Sequence, residues 1–241
     1  MKILAIDSSG LVASVAFVND GTMVAEYTTN FKKTHSQTLL PMIDTIVQMT
    51  GIDLKELDAI AVAAGPGSFT GLRIGSSTAK GLGLALKKPI ISVPTVEGLA
   101  YNLCGISTVI CPIMDARRNQ VYTGLYEFKE KEFQILADQK AVSIDEIIEE
   151  VNLLGREVTF LGDGVPVFKE QIKEKLKVPY SFAPAHMAMQ RAGAVAALAA
   201  VYWEKGKIET AAEHKPVYLR LSQAERELQE KKKKEREHGN S

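Results

Sequence analysis

Lys2-Ile3-Leu4-Ala5-Ile6-Asp7-Ser8-Ser9-Gly10 and Thr108-Val109-Ile110-Cys111-Pro112-Ile113-Met114-Asp115-Ala116 are the two stretches whose comparison decides the fold. Each is a short apolar run that ends in an aspartate, the pattern of a buried strand emerging at a turn. After the first come Leu11 to Val18 and Thr22 to Thr28, separated by the hairpin signal Asp20-Gly21. After the second come Gln120 to Phe128 and Glu132 to Asp138. Each aspartate-ending strand thus opens a three-stranded meander, and Asp7 and Asp115 fall at matching places in the two.

The same order continues in both halves. In the first, a helix is predicted over His35 to Met49, opened by Thr34 and Gln37 at capping-box spacing and bent by Pro41. A strand over Asp58 to Ala64, a helix over Gly71 to Leu86, a strand over Pro89 to Val93 and a helix over Thr95 to Leu103, capped by Thr95, complete it. In the second, Ser143-x-x-Glu146 opens a helix as a capping box. A strand over Val158 to Leu161, a helix over Val165 to Leu176, a strand near Val178 to Phe182 and an Ala-rich helix from about Met187 to Glu204 follow. The chain therefore reads as an α/β protein made of duplicated RNase H-like βββαβαβα units. The implied division is an N-terminal lobe over 1–103, a C-terminal lobe over 104–205, a return segment over 206–222 and a charged tail over 223–241.

With 241 residues, 46% hydrophobic and 24% charged, the chain has ample material for such a core. Lys+Arg 29 against Asp+Glu 29 leaves no net charge and no global field to hold a polyanion. Cys104 and Cys111 are too few for a disulfide framework and read as reduced. An aspartate at position 7 arrives too early for a signal peptide, and no apolar run approaches the ~20 residues of a membrane span. These features lead us to expect a cytoplasmic protein without membrane contact. In the tail, Lys231 to Lys234 are nearly offset by glutamates, so it reads as a solvated helix or frayed end, with a nucleic-acid arm as the alternative.

Twice-repeated units with an aspartate at the end of each first strand resemble the actin, hexokinase and Hsp70 superfamily, in which ATP lies between two lobes. The resemblance implies a two-lobed actin-like (ASKHA) architecture in which two glycine-containing hairpins hold phosphates. Asp7, Ser8, Ser9 and Gly10 fit the first hairpin, offering small hydroxyls and backbone N–H groups. Asp7 reads either as a turn former that caps nearby amides or as a vestigial nucleotide contact, and Gly162-Asp163-Gly164 joins it in the second reading. The second hairpin departs from the plan, because Ala116-Arg117-Arg118-Asn119 has no glycine and places two long cations there. Gly65-Pro66-Gly67-Ser68-Phe69-Thr70-Gly71-Leu72-Arg73 is a glycine-rich strand-to-helix turn without the Gly-Lys-Ser/Thr of a P-loop; an anion site and a turn that needs positive φ explain it equally well.

That run, with Asp7-Ser8-Ser9, His35-Ser36, Met114-Asp115-Ala116-Arg117, Gly162-Asp163-Gly164 and Pro216-Val217-Tyr218-Leu219-Arg220, resembles the bacterial TsaB (YeaZ) family over about the first 220 residues. The resemblance implies a part in threonylcarbamoyl modification of the adenosine beside the anticodon in tRNAs reading codons that begin with A. It further implies a silent partner of a TsaD-type transferase, with a TsaE-type ATPase alongside and tRNA met only through the complex. The TsaD-type subunit holds a metal through a His-x-x-x-His pair on its first helix. Here His35 is followed four residues on by Leu39, and His186, His214 and His238 stand at no ligand spacing, so no metal site and no nucleophile–base pair is read. No cofactor is expected, beyond weak ADP or ATP binding. Two rivals remain: an ATP-dependent small-molecule kinase or acyl transferase of the same superfamily, and a self-sufficient tRNA-binding protein using the tail.

Leu39, Leu40, Met42, Ile43, Ile46, Val47 and Met49 cover an arc of about 180° at 100° per residue, wider than the ~100° that one sheet requires. Gly71, Gly75, Ala79 and Gly83 lie four apart as a small-residue ridge on the next helix. The ridge abuts either its own sheet or another subunit. The family, whose first two helices meet the partner's equivalents, favours the subunit, so Leu39, Leu40, Ile43, Ile46, Val47, Leu72, Gly75, Ala79 and Leu82 are the expected interface, with a homodimer when the chain is alone.

Overall fold

The computed structural model describes residues 1–31 and 35–220. Thr34, the expected helix opener, and the tail over 223–241 lie outside the described residues. The first half contains β1 (Lys2–Asp7), β2 (Ala13–Asn19), β3 (Thr22–Thr29), α1 (His35–Thr50), β4 (Ala59–Gly65), α2 (Phe69–Leu86), β5 (Ile90–Pro94) and α3 (Thr95–Ala100). The second contains β6 (Val109–Asp115), β7 (Gln120–Lys129), β8 (Glu132–Ser143), α4 (Ile144–Leu154), β9 (Val158–Leu161), α5 (Gly164–Lys175), β10 (Tyr180–Phe182) and α6 (Ala192–Glu204).

The duplication is visible in strand order. One five-stranded sheet runs β3-β2-β1-β4-β5, the other β10-β9-β6-β7-β8, and the second order, read backwards, is the first. In each, the meander is antiparallel and the two added strands are parallel to the first strand. Parallel strands buried on both faces read as continuous apolar runs, which is why β4 is Ala-Ile-Ala-Val-Ala-Ala-Gly, buried throughout. Asp20 and Gly21 both take positive φ, 47° and 74°, as the tight hairpin between β2 and β3 requires.

Each sheet is covered on two faces. Ile60 and Val62 of β4 pack with Leu39, Ile43 and Ile46 of α1 and Ala79 of α2, while Ala59, Ala61 and Ala63 meet Ala192, Val195, Ala196 and Ala199 of α6. Alanine against alanine lets α6 approach the sheet closely, and its nearly continuous apolar sequence follows from that burial. In the second sheet, Val109, Cys111 and Phe160 pack on α4 and α5, while Val96, Leu99 and Ala100 of α3 meet Ile110, Met114 and Leu161 on the opposite face. The two inner helices thus cross over: α3, from the first half, lies on the second sheet, and α6, from the second half, lies on the first. Chain order alone places α6 with residues 104–205; its packing is with the N-terminal sheet. Inside this double layer the Tyr202 hydroxyl donates to Glu97, whose carboxyl is held above its ordinary range by burial, against the pull of that bond.

Several local expectations need correction. The second helix begins at Phe69, two residues before Gly71, because the Ser68 hydroxyl caps it by accepting from the Gly71 N–H at 3.2 Å. Thr95 does not cap α3; its hydroxyl accepts from the Gly65 N–H at 3.0 Å and ties α3 to the end of β4. α3 gives way to a 3-10 turn at Tyr101–Leu103. β8 runs on to Ser143, and α6 starts at Ala192 rather than near Met187, where the Ala192 and Gly193 N–H groups meet the Ser14 hydroxyl and the Glu26 carboxylate. α1 runs unbroken through Pro41, which lies on its exposed side. Ser143 does form the expected capping box, accepting from Glu146 N–H at 3.1 Å and donating to its carboxylate at 3.0 Å. No helix among the described residues is long and apolar enough to cross a membrane.

Candidate interlobe site

β1 ends at Asp7, and the chain then turns over the start of α2. The Asp7 carboxylate accepts from the Ser9 N–H at 2.9 Å and from the Ser9 hydroxyl at 2.6 Å. Burial pushes this carboxyl above the usual carboxylate range, although both bonds and the nearby His35 pull the other way. The Ser8 hydroxyl donates to the Gly71 carbonyl at 2.9 Å, and the Ser9 carbonyl accepts from the Ser68 N–H at 2.7 Å. The glycine-rich run is therefore occupied by its own chain. A Cβ at Gly67 would lie 2.2 Å from the Ser9 carbonyl oxygen and one at Gly71 2.1 Å from that of Ser8. Close backbone approach, not positive φ, fixes these two positions. Gly65 does have positive φ, 116°, and a Cβ there would meet the Val217 carbonyl at 2.1 Å.

The second half repeats the device. The Asp115 carboxylate accepts from the Arg117 N–H at 2.8 Å, two residues on, as Asp7 does from Ser9. A Cβ at Gly162 would lie 2.2 Å from the Ile113 carbonyl and one at Gly164 2.8 Å from it, as the first-half glycines lie on the Ser8–Ser9 turn. Asp163 accepts from the Asp115 N–H at 3.2 Å; burial, joined by the Asp115 charge, holds its carboxyl above the usual range. Arg117, Arg118 and Asn119 all take positive φ, 65°, 57° and 58°, so this hairpin reaches without glycine a conformation that glycine reaches freely.

Between the two turns lies a cleft of about 620 Å³. Its walls are Ser9 and Gly10, His35 and Ser36 at the start of α1, Phe69 and Thr70 at the start of α2, Asp115 to Arg117, Asp163, and Tyr218 to Arg220. Of the residues expected at a nucleotide, Ser9 and Asp163 line it, whereas Asp7, Ser8, Gly162 and Gly164 are not on its wall and hold the turns from beneath. His35 Nε2 donates to the Gly10 carbonyl at 2.8 Å, and Leu39, one turn on, is fully committed to the core.

The expected interface divides differently from the sequence reading. Leu39, Ile43, Ile46, Leu72, Gly75 and Ala79 are buried within the chain itself. The ridge is internal: a Cβ at Gly75 would lie 2.5 Å from the Ser8 Oγ, Ala79 packs into the first core, and a Cβ at Gly83 would meet Ala211 at 3.0 Å. The side chains of Leu39, Ile43, Ile46 and Ala79 are packed in the chain's own first core. Leu40 is 57% exposed, and Val47 and Leu82 are half-buried. Met49 at 83% and Leu84 at 61% join them on the outer faces of α1 and α2.

One cluster escaped the sequence reading, which found no nucleophile–base pair. Buried His214 places Nε2 2.9 Å from the Ser76 Oγ and Nδ1 2.9 Å from the Glu209 carboxylate, to which the Ser92 hydroxyl also donates. The order is that of a Ser–His–carboxylate relay. Ser76 and His214 are both buried and neither lines a described cavity, while Glu209 lines the cavity beside the end of α2; the relay fastens α2 and β5 to the segment after α6. Separations of 138 residues for Ser76–His214 and 122 for Ser92–His214 hid it from any spacing argument.

Fold and site together define a two-lobed α/β protein of duplicated βββαβαβα units, with an interlobe cleft flanked by two aspartate-anchored turns. A family model described as TsaD, tRNA N6-adenosine threonylcarbamoyltransferase, matches residues 22–228. The tRNA threonylcarbamoyladenosine biosynthesis protein TsaB of Bacillus subtilis is 36% identical over 228 residues, 93% of this chain and 96% of that protein. The TsaB of Escherichia coli K12 is 33% identical over 232 residues, 95% of this chain and 98% of that protein. The solved structure of YeaZ from Pseudomonas aeruginosa superposes with a TM-score of 0.76 at 26% identity, covering 90% of this chain and 99% of that one. The chain belongs to the TsaB family.

Proposed function

We propose that this chain serves tRNA threonylcarbamoyladenosine biosynthesis as the non-catalytic partner of a TsaD-type transferase, supplying binding and position. The observation that carries the reading is the commitment of the would-be chemical groups to the chain's own structure. Leu39 is in the core where a second imidazole would stand, the Ser8 and Ser9 hydroxyls are spent on Gly71 and Asp7, and arginines occupy the second hairpin. The relatives' names support the pathway. The partner face in this reading is the outer side of α1 and α2, where Leu40, Met49 and Leu84 leave apolar surface exposed beside Val47 and Leu82. That face pairs with itself in the isolated chain and with the transferase in the complex. A TsaE-type ATPase completes the assembly, tRNA is met through the complex in the cytoplasm, and the cleft has at most weak affinity for ADP or ATP.

Reconstitution tests this. Transfer to tRNA from a supplied activated threonylcarbamoyl donor, labelled in its threonine part, should be absent with this chain alone and require it beside the transferase and ATPase. Transfer by the chain alone, or full transfer without it, overturns the proposal.

A further inference from the structure

Residues 207–220 contain one helix-free stretch whose fastenings follow one another in chain order. Glu209 and Ile90 exchange backbone hydrogen bonds of 2.8 and 2.9 Å, covering the edge of β5. The Lys80 ammonium donates to the carbonyls of Ala212 and His214, at 3.2 and 2.9 Å. The His214 ring is locked between Ser76 and Glu209, and the Val217 N–H donates to the Ala64 carbonyl at 2.7 Å. The Tyr218 ring packs on Phe69 at 4.8 Å, with the Arg73 guanidinium 3.9 Å above the Phe69 centroid.

All of these anchors lie on the first lobe. Two residues beyond Tyr218 the attachment changes sides: the Arg220 guanidinium donates to the carbonyl of Ala116, in the hairpin of the second lobe. Leu219 and Arg220 both line the cleft, and Arg220 joins its two walls. The hairpin so held is the one whose next three residues all have positive φ. A guanidinium bonded to a carbonyl is a charge-assisted contact, and this one links the two walls of the cleft.

We propose that this segment is a strap that sets the opening of the cleft, with Arg220 as its clasp on the second lobe. The buried His214 relay is the buckle at its other end, which gives the buried Ser76–His214 pair a structural role. Releasing the clasp lets the lobes separate while each keeps its fold, because both cores and the crossed inner helices are untouched.

The test measures lobe separation directly in the full chain. Spin labels on Lys55→Cys in the first lobe and Glu170→Cys in the second, both exposed positions, are placed in a Cys104→Ser background and diluted with unlabelled protein against self-association. Pulsed dipolar spectroscopy should give one narrow distance distribution for the otherwise unaltered chain. Arg220→Ala should broaden it and move it to longer distances, with an unchanged circular dichroism spectrum. Should Arg220→Ala fail to fold, Tyr218→Ala decides, since it unseats the strap on the first lobe and leaves Arg220 in place; the same broadening is expected. A folded variant whose distribution matches the unaltered chain overturns the proposal.

Discussion

Replacing Gly75 with alanine tests whether the ridge on α2 faces inward. The new Cβ would lie 2.5 Å from the Ser8 Oγ, closer than such atoms approach, while the next neighbours, Val62 Cγ2 at 3.7 Å and Ser8 Cβ at 3.8 Å, are at ordinary contact. The Ser8 hydroxyl must therefore swing away and give up its buried bond to the Gly71 carbonyl, at a cost of about 1–3 kcal/mol. Residual crowding adds about 1–3 kcal/mol. Alanine returns about 1 kcal/mol of helix propensity, leaving a net loss of roughly 3 kcal/mol. At about 2–4 °C per kcal/mol, the melting temperature should fall by roughly 6–12 °C. In a Ser8→Ala background the obstruction is gone, only the helix gain remains, and the same substitution should stabilise by about 1 kcal/mol. Denaturant melts of the two singles and the double give the cycle. Gly75→Ala that leaves stability unchanged and weakens only association, or that costs the same with and without the Ser8 hydroxyl, refutes the inward ridge.

Ala79→Arg, at a site with no exposure, should yield no folded protein by circular dichroism, because a guanidinium would enter the first core. Leu40→Arg, on the outer face of α1, should keep the melting temperature within about 2 °C and reduce binding to the transferase at least tenfold by calorimetry. Ser143→Ala, which removes the capping box of α4, should cost about 1 kcal/mol in denaturant melts. For Asp163 the folded state holds its proton more tightly than the unfolded chain does, so its contribution to stability is lost as pH rises from the ordinary carboxylate value through the raised one. Asp163→Asn keeps an oxygen for the Asp115 N–H and should melt higher than the unaltered chain at about pH 8, with the difference vanishing by about pH 3.5.

Much of the fold was legible in the chain because its determinants are local. Apolar runs of strand length, the Asp20-Gly21 turn and the Ser143–Glu146 box each act over a few residues, and their repetition at Asp7 and Asp115 exposed the duplication before any contact was known. What failed depended on which surface an element meets. An arc of apolar residues on α1 and a row of small residues on α2 have the same sequence whether they face a sheet, a loop or another molecule. Ser8 lies 63 residues from the Gly71 it bonds, so nothing near Gly75 announced that the ridge was already filled. The crossing of α3 and α6 between the sheets, the Ser76–His214–Glu209 relay and the Arg220 clasp are likewise products of distant segments meeting. The sequence by itself determined the elements, their doubled order and the absence of glycine from the second hairpin. The tertiary structure alone decided which faces are spent on the chain's own core and which stay open to a partner, because burial is a property of three-dimensional neighbours and not of spacing along the chain.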